Sequence, residues 1–373
     1  MLDEQLRELA LLEPTDVPCL SLYLNTQADQ HGKDNFDAFV RKQLDSAAGA
    51  FEQRSPQRDS FDKDAEKIDE WLRTELDPSS NGAALLACAG AAEFFEALQF
   101  DAPIQHNSFH VSPIPHLYPL ARLNSEYPSY AAVLADTNSA RLFVFGLARV
   151  LETETVGSTK VRSRTQVGGW SQARYQRHVG NYHLHHTKEV IEQLEKLTSG
   201  ANKGIDYIIF AGDQVILPLL RENLSKFLAE DLIGSLKLDI DTPEHEVLQA
   251  TQALAREHHT TVLQQQVSEL LENAAAAGLA SARLDGVVTA LVNGQVDTLF
   301  LDPSIEQLDP GKGRIRKVLA TLIPDATFDD PTGIDLAGAL VTAAYRTSAS
   351  ARVVADEALS AAGGVGATLR YRV

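Results

Sequence analysis

Gly168-Gly169-Trp170-Ser171-Gln172 joins two glycines to an indole, a hydroxyl and a neutral amide. Glycine lets the backbone take φ > 0 and come close to a ligand. The run lies in a basic island. From Lys160 to Lys188 the chain carries Lys160, Arg162, Arg164, Arg174, Arg177 and Lys188, with His178, His183, His185 and His186, and no Asp or Glu. The formal net charge of the whole chain is -18, so this stretch runs against the general composition. A Gly-Gly turn in such a segment suggests backbone meeting a polyanion. The plainer alternative is an ordinary loop with Ser171 capping the helix after it.

The spacing predicts that helix over 173–197, closed by Ser199-Gly200. Tyr175, Val179, Tyr182, His186, Val190 and Leu194 recur at threes and fours and form an apolar stripe. Arg174, His178, Asn181, His185 and Lys188 form a second stripe. The first should pack on a sheet and the second should face a partner, with Arg174, Arg177, His178, His185 and Lys188 suited to phosphate. The alternative is a solvated basic face. His183 and His186 are three apart with no glutamate between them, unlike the i, i+4 pair of a helical zinc site. His186 reads as a core residue and no metal or other cofactor is expected. His258-His259, in another helix, should be exposed.

The 373 residues exceed one ordinary core. Hydrophobic residues at 44% and charged residues at 23% are globular values. The acidic balance argues against a protein that coats nucleic acid broadly, but not against local docking. No apolar run is long enough to span a bilayer, and the acidic amphipathic start with Leu2, Leu6 and Leu9 is unlike a signal peptide. Cys19 and Cys88 read as buried reduced thiols, and the expected location is cytoplasmic.

The pattern is α/β, in three blocks: 1–125, 126–280 and 281–373. The first has a strand at 19–24, helices at 33–51 and 60–76, a buried strand at 83–89 and an irregular stretch at 103–119. The second has strands at 131–135, 141–145, 206–210 and 236–240, a helix running to about 228 and a long helix from Pro243 to about 277. The third is a small α/β sandwich with helices at 285–292, 314–322 and 335–342 and strands at 296–301, 351–354 and 368–373. Gly363, Gly364 and Gly366 should form a turn into an edge strand. Gly311-Lys312-Gly313 with Arg314, Arg316 and Lys317 reads as a solvated helix start or a second basic contact. The pairs Asp239/Asp241 and Asp329/Asp330 read as turn residues.

Gly168–Arg177 resembles the Gly-Gly-Gln-Ser loop and following helix of archaeal and eukaryotic class-one release factors and their Pelota-type relatives. Ser171, Arg174, Tyr175 and Arg177 keep the register. Residues 284–300 resemble the opening helix and strand of that family's C-terminal domain, and 363–373 resemble its Gly-rich final strand. The likeness covers about two-thirds of the chain and points to the bacterial branch related to the Vms1-type peptidyl-tRNA hydrolases. It implies a three-domain release-factor-like architecture: a divergent N-terminal α/β domain, a central α/β domain bearing the Gly-Gly loop, and a C-terminal α/β sandwich.

The family's glutamine position is held by Trp170, with Gln172 two residues later, and no Asn-Ile-Lys-Ser decoding motif is present. The resemblance therefore implies a ribosome-directed factor that does not read stop codons. Its partners would be the ribosomal A site and peptidyl-transferase centre, the tRNA acceptor end and ribosomal RNA. Delivery by a translational GTPase is left open. Two readings stand. In the first, Gly168 and Gly169 shape a loop from which Gln172 orients water onto the peptidyl-tRNA ester. Trp170 and Ser171 touch RNA, and Arg162, Arg164 and the helix cations hold phosphate. In the second, Trp170 and the basic helix dock the protein on idle ribosomes without catalysis, as a hibernation factor.

Overall fold

The computed structural model describes residues 2–27, 36–157, 170–199, 204–307, 313–323 and 335–372. They pack as two compact units, one made of Met1–Glu126 with Thr260–Val373 and the other of Tyr127–His259. The described residues are α/β, with three sheets among them. No helix among the described residues is long and apolar enough to cross a membrane.

The first unit opens with α1 (Leu2–Ala10), whose Leu2, Leu6 and Leu9 are buried as their spacing predicts. Strands β1 (Cys19–Asn25), β2 (Gly82–Cys88), β3 (Phe94–Phe100) and β4 (Ser108–Ser112) form an antiparallel sheet in the order β3-β2-β1-β4. Between β1 and β2 run α2 (Phe36–Ala48) and α3 (Pro56–Thr74). Alternate residues Leu20, Leu22 and Leu24 of β1 and Ala83, Leu85 and Ala87 of β2 meet Phe36, Val40, Phe61 and Ile68 from these helices. Ser55 caps α3, its Oγ accepting the Arg58 N–H at 3.1 Å, with Pro56 where no N–H is needed. Helix α4 (Tyr118–Glu126) follows β4. The stretch read as irregular thus contains a strand and a helix start, and β3 was not expected.

Cys19 and Cys88 are a second correction. They are joined as a disulfide, with Cα atoms 4.3 Å apart. The register explains why they meet: Leu20 faces Ala87, so the next residues out face each other across β1 and β2. A separation of 69 in sequence hides that pairing.

The same unit contains a four-stranded sheet from the end of the chain: β10 (Ala280–Ser281), β11 (Val296–Leu301), β12 (Ser350–Val353) and β13 (Val365–Leu369), ordered β10-β13-β11-β12. Strand β11 runs parallel to β12 and antiparallel to β13. Helices α9 (Leu284–Val292), α10 (Gly313–Leu322), α11 (Leu336–Arg346) and α12 (Glu357–Ala361) complete it. Gly363 and Gly364 turn the chain at φ +113° and +74°. The strand they lead into is interior, not the edge strand expected, because β10 covers its outer side.

The second unit has β5 (Tyr130–Ala135), β6 (Ser139–Gly146), β7 (Arg149–Gly157), β8 (Tyr207–Gly212) and β9 (Leu232–Leu236), ordered β7-β6-β5-β8-β9. Strands β5, β8 and β9 are parallel. One face carries α5 (Trp170–Ser199), α6 (Ile216–Asn223) and α7 (Lys226–Glu230), whose apolar residues meet Ala131, Val133, Leu142, Val144, Ile208 and Phe210. The other face, with Tyr130, Ala132, Leu134, Phe143, Phe145 and Ile209, takes Val247 and Ala255 of α8 (Glu244–Ala275). Further along α8, Leu263, Val267 and Leu270 belong to a core with Ala280, Phe300, Val354 and Leu359.

Three readings are corrected here. The strand expected at 236–240 is β9, ending at Leu236. The helix expected to run on to about 228 is broken at Leu224, whose ψ of 141° is extended. Strand β7 was not expected.

Candidate functional site

Helix α5 is 30 residues long and starts at Trp170. Trp170, Ser171 and Gln172 therefore lie on its first turn, and Ser171 is inside the helix rather than ahead of it. Gly168, Gly169, Arg162 and Arg164 lie outside the described residues. Of Arg174, Arg177 and His178 the helical backbone is described, and the periodicity puts 174, 178, 181, 185 and 188 along one face.

The described part of that face is open: Asn181, His185 and Lys188 are exposed. His185 Nδ1 lies 3.2 Å from Glu189 Oε1, one turn on, so this histidine carries its own acidic neighbour. The opposite stripe turns inward. His186 is 1% exposed, and Val190, Ile191, Leu194 and Leu197 pack on the sheet. His183 is half-buried, so His183, His185 and His186 take three different environments and do not converge. His186 is the core residue its stripe implied.

The charge of α5 is divided along its length. Its first 19 residues hold no acid, while Glu189, Glu192 and Glu195 follow, Glu192 paired with Lys196 at 3.0 Å. The N-terminal N–H groups of a helix and its dipole already favour an anion there. Trp170 is about 24 Å along the axis from His186 at 1.5 Å per residue. The packed half thus fixes the direction of a helix whose first 19 residues carry Arg174, Arg177 and Lys188 and no acid.

His258 and His259 depart from the sequence reading. His259 is 8% exposed, and its Nδ1 is 2.8 Å from the Tyr207 hydroxyl. Asp239 behaves as expected, its Oδ1 accepting the Asp241 N–H at 3.0 Å in a turn.

A second cluster escaped the sequence reading. His110 of β4, His116 in the link to α4, and Asp335 ahead of α11 place one ligand atom each within 4.8 Å of one another. Their rings and carboxylate border a cavity of about 250 Å³, also lined by Tyr118, Arg122 and Glu306. The His110 and His116 rings stack with centroids 3.7 Å apart. Burial pushes both imidazoles down to about 3, helped at His110 by the neighbouring His116, so both are neutral. The signal available in sequence was His110-x5-His116 among prolines. Asp335, 219 residues further on, gave none.

Residues 115–256 match the family described as bacterial archaeo-eukaryotic release factor family 10. Over that stretch, less than half of its length, the chain is similar to bacterial proteins of the archaeo-eukaryotic release-factor type. The family segment contains all of α5, and of the second cluster only His116.

Solved structures of the superfamily align over most of the chain at low identity. An archaeal translation termination factor, aRF1, is 18% identical, covering 99% of this chain and 97% of its own, with a TM-score of 0.28. Pelota of Archaeoglobus fulgidus is 13% identical, covering 100% and 93%, at 0.38. Dom34 of S. cerevisiae is 11% identical, covering 78% and 79%, at 0.41. Comparison with curated proteins found no match.

Proposed function

We propose that the chain is a ribosome-associated, release-factor-like protein that hydrolyses the peptidyl-tRNA ester in ribosome rescue, without reading a stop codon. The family match over 115–256 supports the reading, because that segment holds Gly168-Gly169 followed directly by an acid-free helix start. In the A site of a cytoplasmic ribosome, Gly168 and Gly169 shape the loop at the peptidyl-transferase centre. Gln172 orients one water beside the 3′-terminal ribose of peptidyl-tRNA. Backbone N–H groups stabilise the oxyanion, and the ribosome supplies the remaining geometry. Arg162, Arg164, Arg174, Arg177, His178 and Lys188 hold phosphate of ribosomal RNA and the acceptor end, and a translational GTPase is a candidate carrier.

Single-turnover release of nascent chain from stalled ribosomes tests this. Gln172→Ala and Gly169→Ala should each slow release by about 100-fold or more, the usual cost of misplacing a reacting group. Release at the wild-type rate by both variants ends the catalytic assignment.

One observation favours a second reading. Gln172 is on the first turn of α5, with Trp170 where the family has its glutamine. A factor that docks on idle ribosomes through Trp170 and the basic helix needs no glutamine. Tight binding to vacant ribosomes with no hydrolysis of peptidyl-tRNA, and loss of that binding in Trp170→Ala, would select it.

A further inference from the structure

His110, His116 and Asp335 belong to three separate elements and meet at one cavity. We propose that they form a binding site for one divalent transition-metal ion, zinc foremost, with an exchangeable position open to the cavity. Two imidazoles and a carboxylate are a nitrogen and oxygen donor set of the kind that holds zinc or iron. Three protein ligands beside a cavity leave room for a further ligand.

The donors are held by bonds that do not consume them. The His116 N–H donates to Ser21 Oγ at 3.0 Å, and its carbonyl accepts from the Tyr23 hydroxyl at 2.5 Å. Ser21 also faces His110 across β1 and β4, so one strand sets both histidines. Asp335 Oδ1 accepts the Gly338 N–H at 2.6 Å as the cap of α11, which leaves Oδ2 on the side of His116. Gly338 itself is required, since a Cβ there would run into His116 Nδ1.

His116 Nε2 and Asp335 Oδ2 are 3.5 Å apart, too long for a good hydrogen bond. That spacing is close to the separation of about 3.3 Å between two donors on a tetrahedral zinc with bonds near 2.0 Å. The three ligand atoms lie within 4.8 Å of one another, so the side chains must draw together to share one ion. An ion here would tie β4 and the link to α4 to the start of α11 within a single compact unit.

The test is calorimetric titration of the full chain, stripped with chelator, with zinc chloride, and a visible spectrum after loading with Co²⁺. One ion per chain is expected, with a Co²⁺ spectrum typical of nitrogen and oxygen ligands. His110→Gln and Asp335→Asn should each weaken binding more than about 100-fold, beyond the effect of losing an outer partner. Tyr23→Phe, which keeps all three donors, should weaken it about tenfold. His183→Gln, in the other histidine run, should leave binding unchanged. Asp335→Asn preserves the acceptor that caps α11, so it separates loss of a ligand from loss of fold. The site is ruled out if wild type takes up no stoichiometric ion, if its Co²⁺ spectrum is that of the aquo ion, or if uptake survives both ligand substitutions.

Discussion

Asp64 of α3 has no exposed surface, and its Oδ2 accepts the Ala89 N–H at 3.0 Å while Oδ1 has no partner. Burial pushes its carboxyl up to about 6, outweighing the Ala89 bond and the nearby Lys67 and Lys63. A raised value in the fold means that the unfolded chain ionises first as pH rises. Stability is therefore fullest below about pH 4 and declines until pH passes about 6, by at most about 3 kcal/mol. Asp64→Asn keeps an acceptor for Ala89 and cannot ionise. Urea titrations at pH 4, 5, 6 and 7.5 should show the variant gaining on wild type through that window and holding the gain above it. A constant difference at all four pH values would mean that Asp64 does not titrate there. In the sequence Asp64 is one acid among many on a polar helix face, and only the packing of β2 over it marks it out. His110, His116 and Asp335 were hidden for the same reason, whereas the inward turn of His186 was legible because helical spacing alone decides it.

At the scale of elements, legibility follows the strength of one period. Helix α8 was read within two residues at each end, and the stripe of α5 correctly separates His186, Val190 and Leu194 from His185 and Lys188. Strand β7 was missed because it is an edge strand whose residues are almost all exposed, so no apolar alternation marks it. Strand β3 is half-buried on both faces and its alternation is blurred. Prolines at 113, 115 and 119 masked α4, although Pro119 stands on the first turn, where proline is tolerated. Gly212 does more than turn the chain. It ends β8 at φ +133°, and a Cβ there would overlap the carbonyl of Ala135 on the neighbouring parallel strand. Gly212→Ala should cost more than about 3 kcal/mol, from backbone strain together with a clash that neither strand can relieve. Denaturant unfolding followed through the second unit measures it, and a cost under about 1 kcal/mol would show that the strand end relaxes freely.

At the scale of the molecule, the first 126 residues pack with the last 114 through bonds that no sequence pattern announces. The Tyr345 hydroxyl donates to Asp3 Oδ1 at 2.8 Å, and the Val353 N–H donates to Ser125 Oγ at 2.9 Å. Arg346 reaches from the end of α11 to two carbonyls at and just past the end of α1, with Nε to Ala10 at 2.7 Å and Nη2 to Leu12 at 2.8 Å. These partners are 228 to 342 residues apart, and nothing marks either member of a pair until the fold brings them together. Arg346→Ala removes both bonds from a half-buried place and strips two carbonyls of a charged donor, at a cost of about 2 kcal/mol. The loss belongs to the unit that contains α1 and α11. Hydrogen exchange should therefore quicken at the amides of α1, α4 and α11 while β5, β6 and β8 keep their protection. Equal loss of protection in β5 and β8 would mean that the two units unfold as one, and that the arginine tie stabilises the whole chain rather than one half of it.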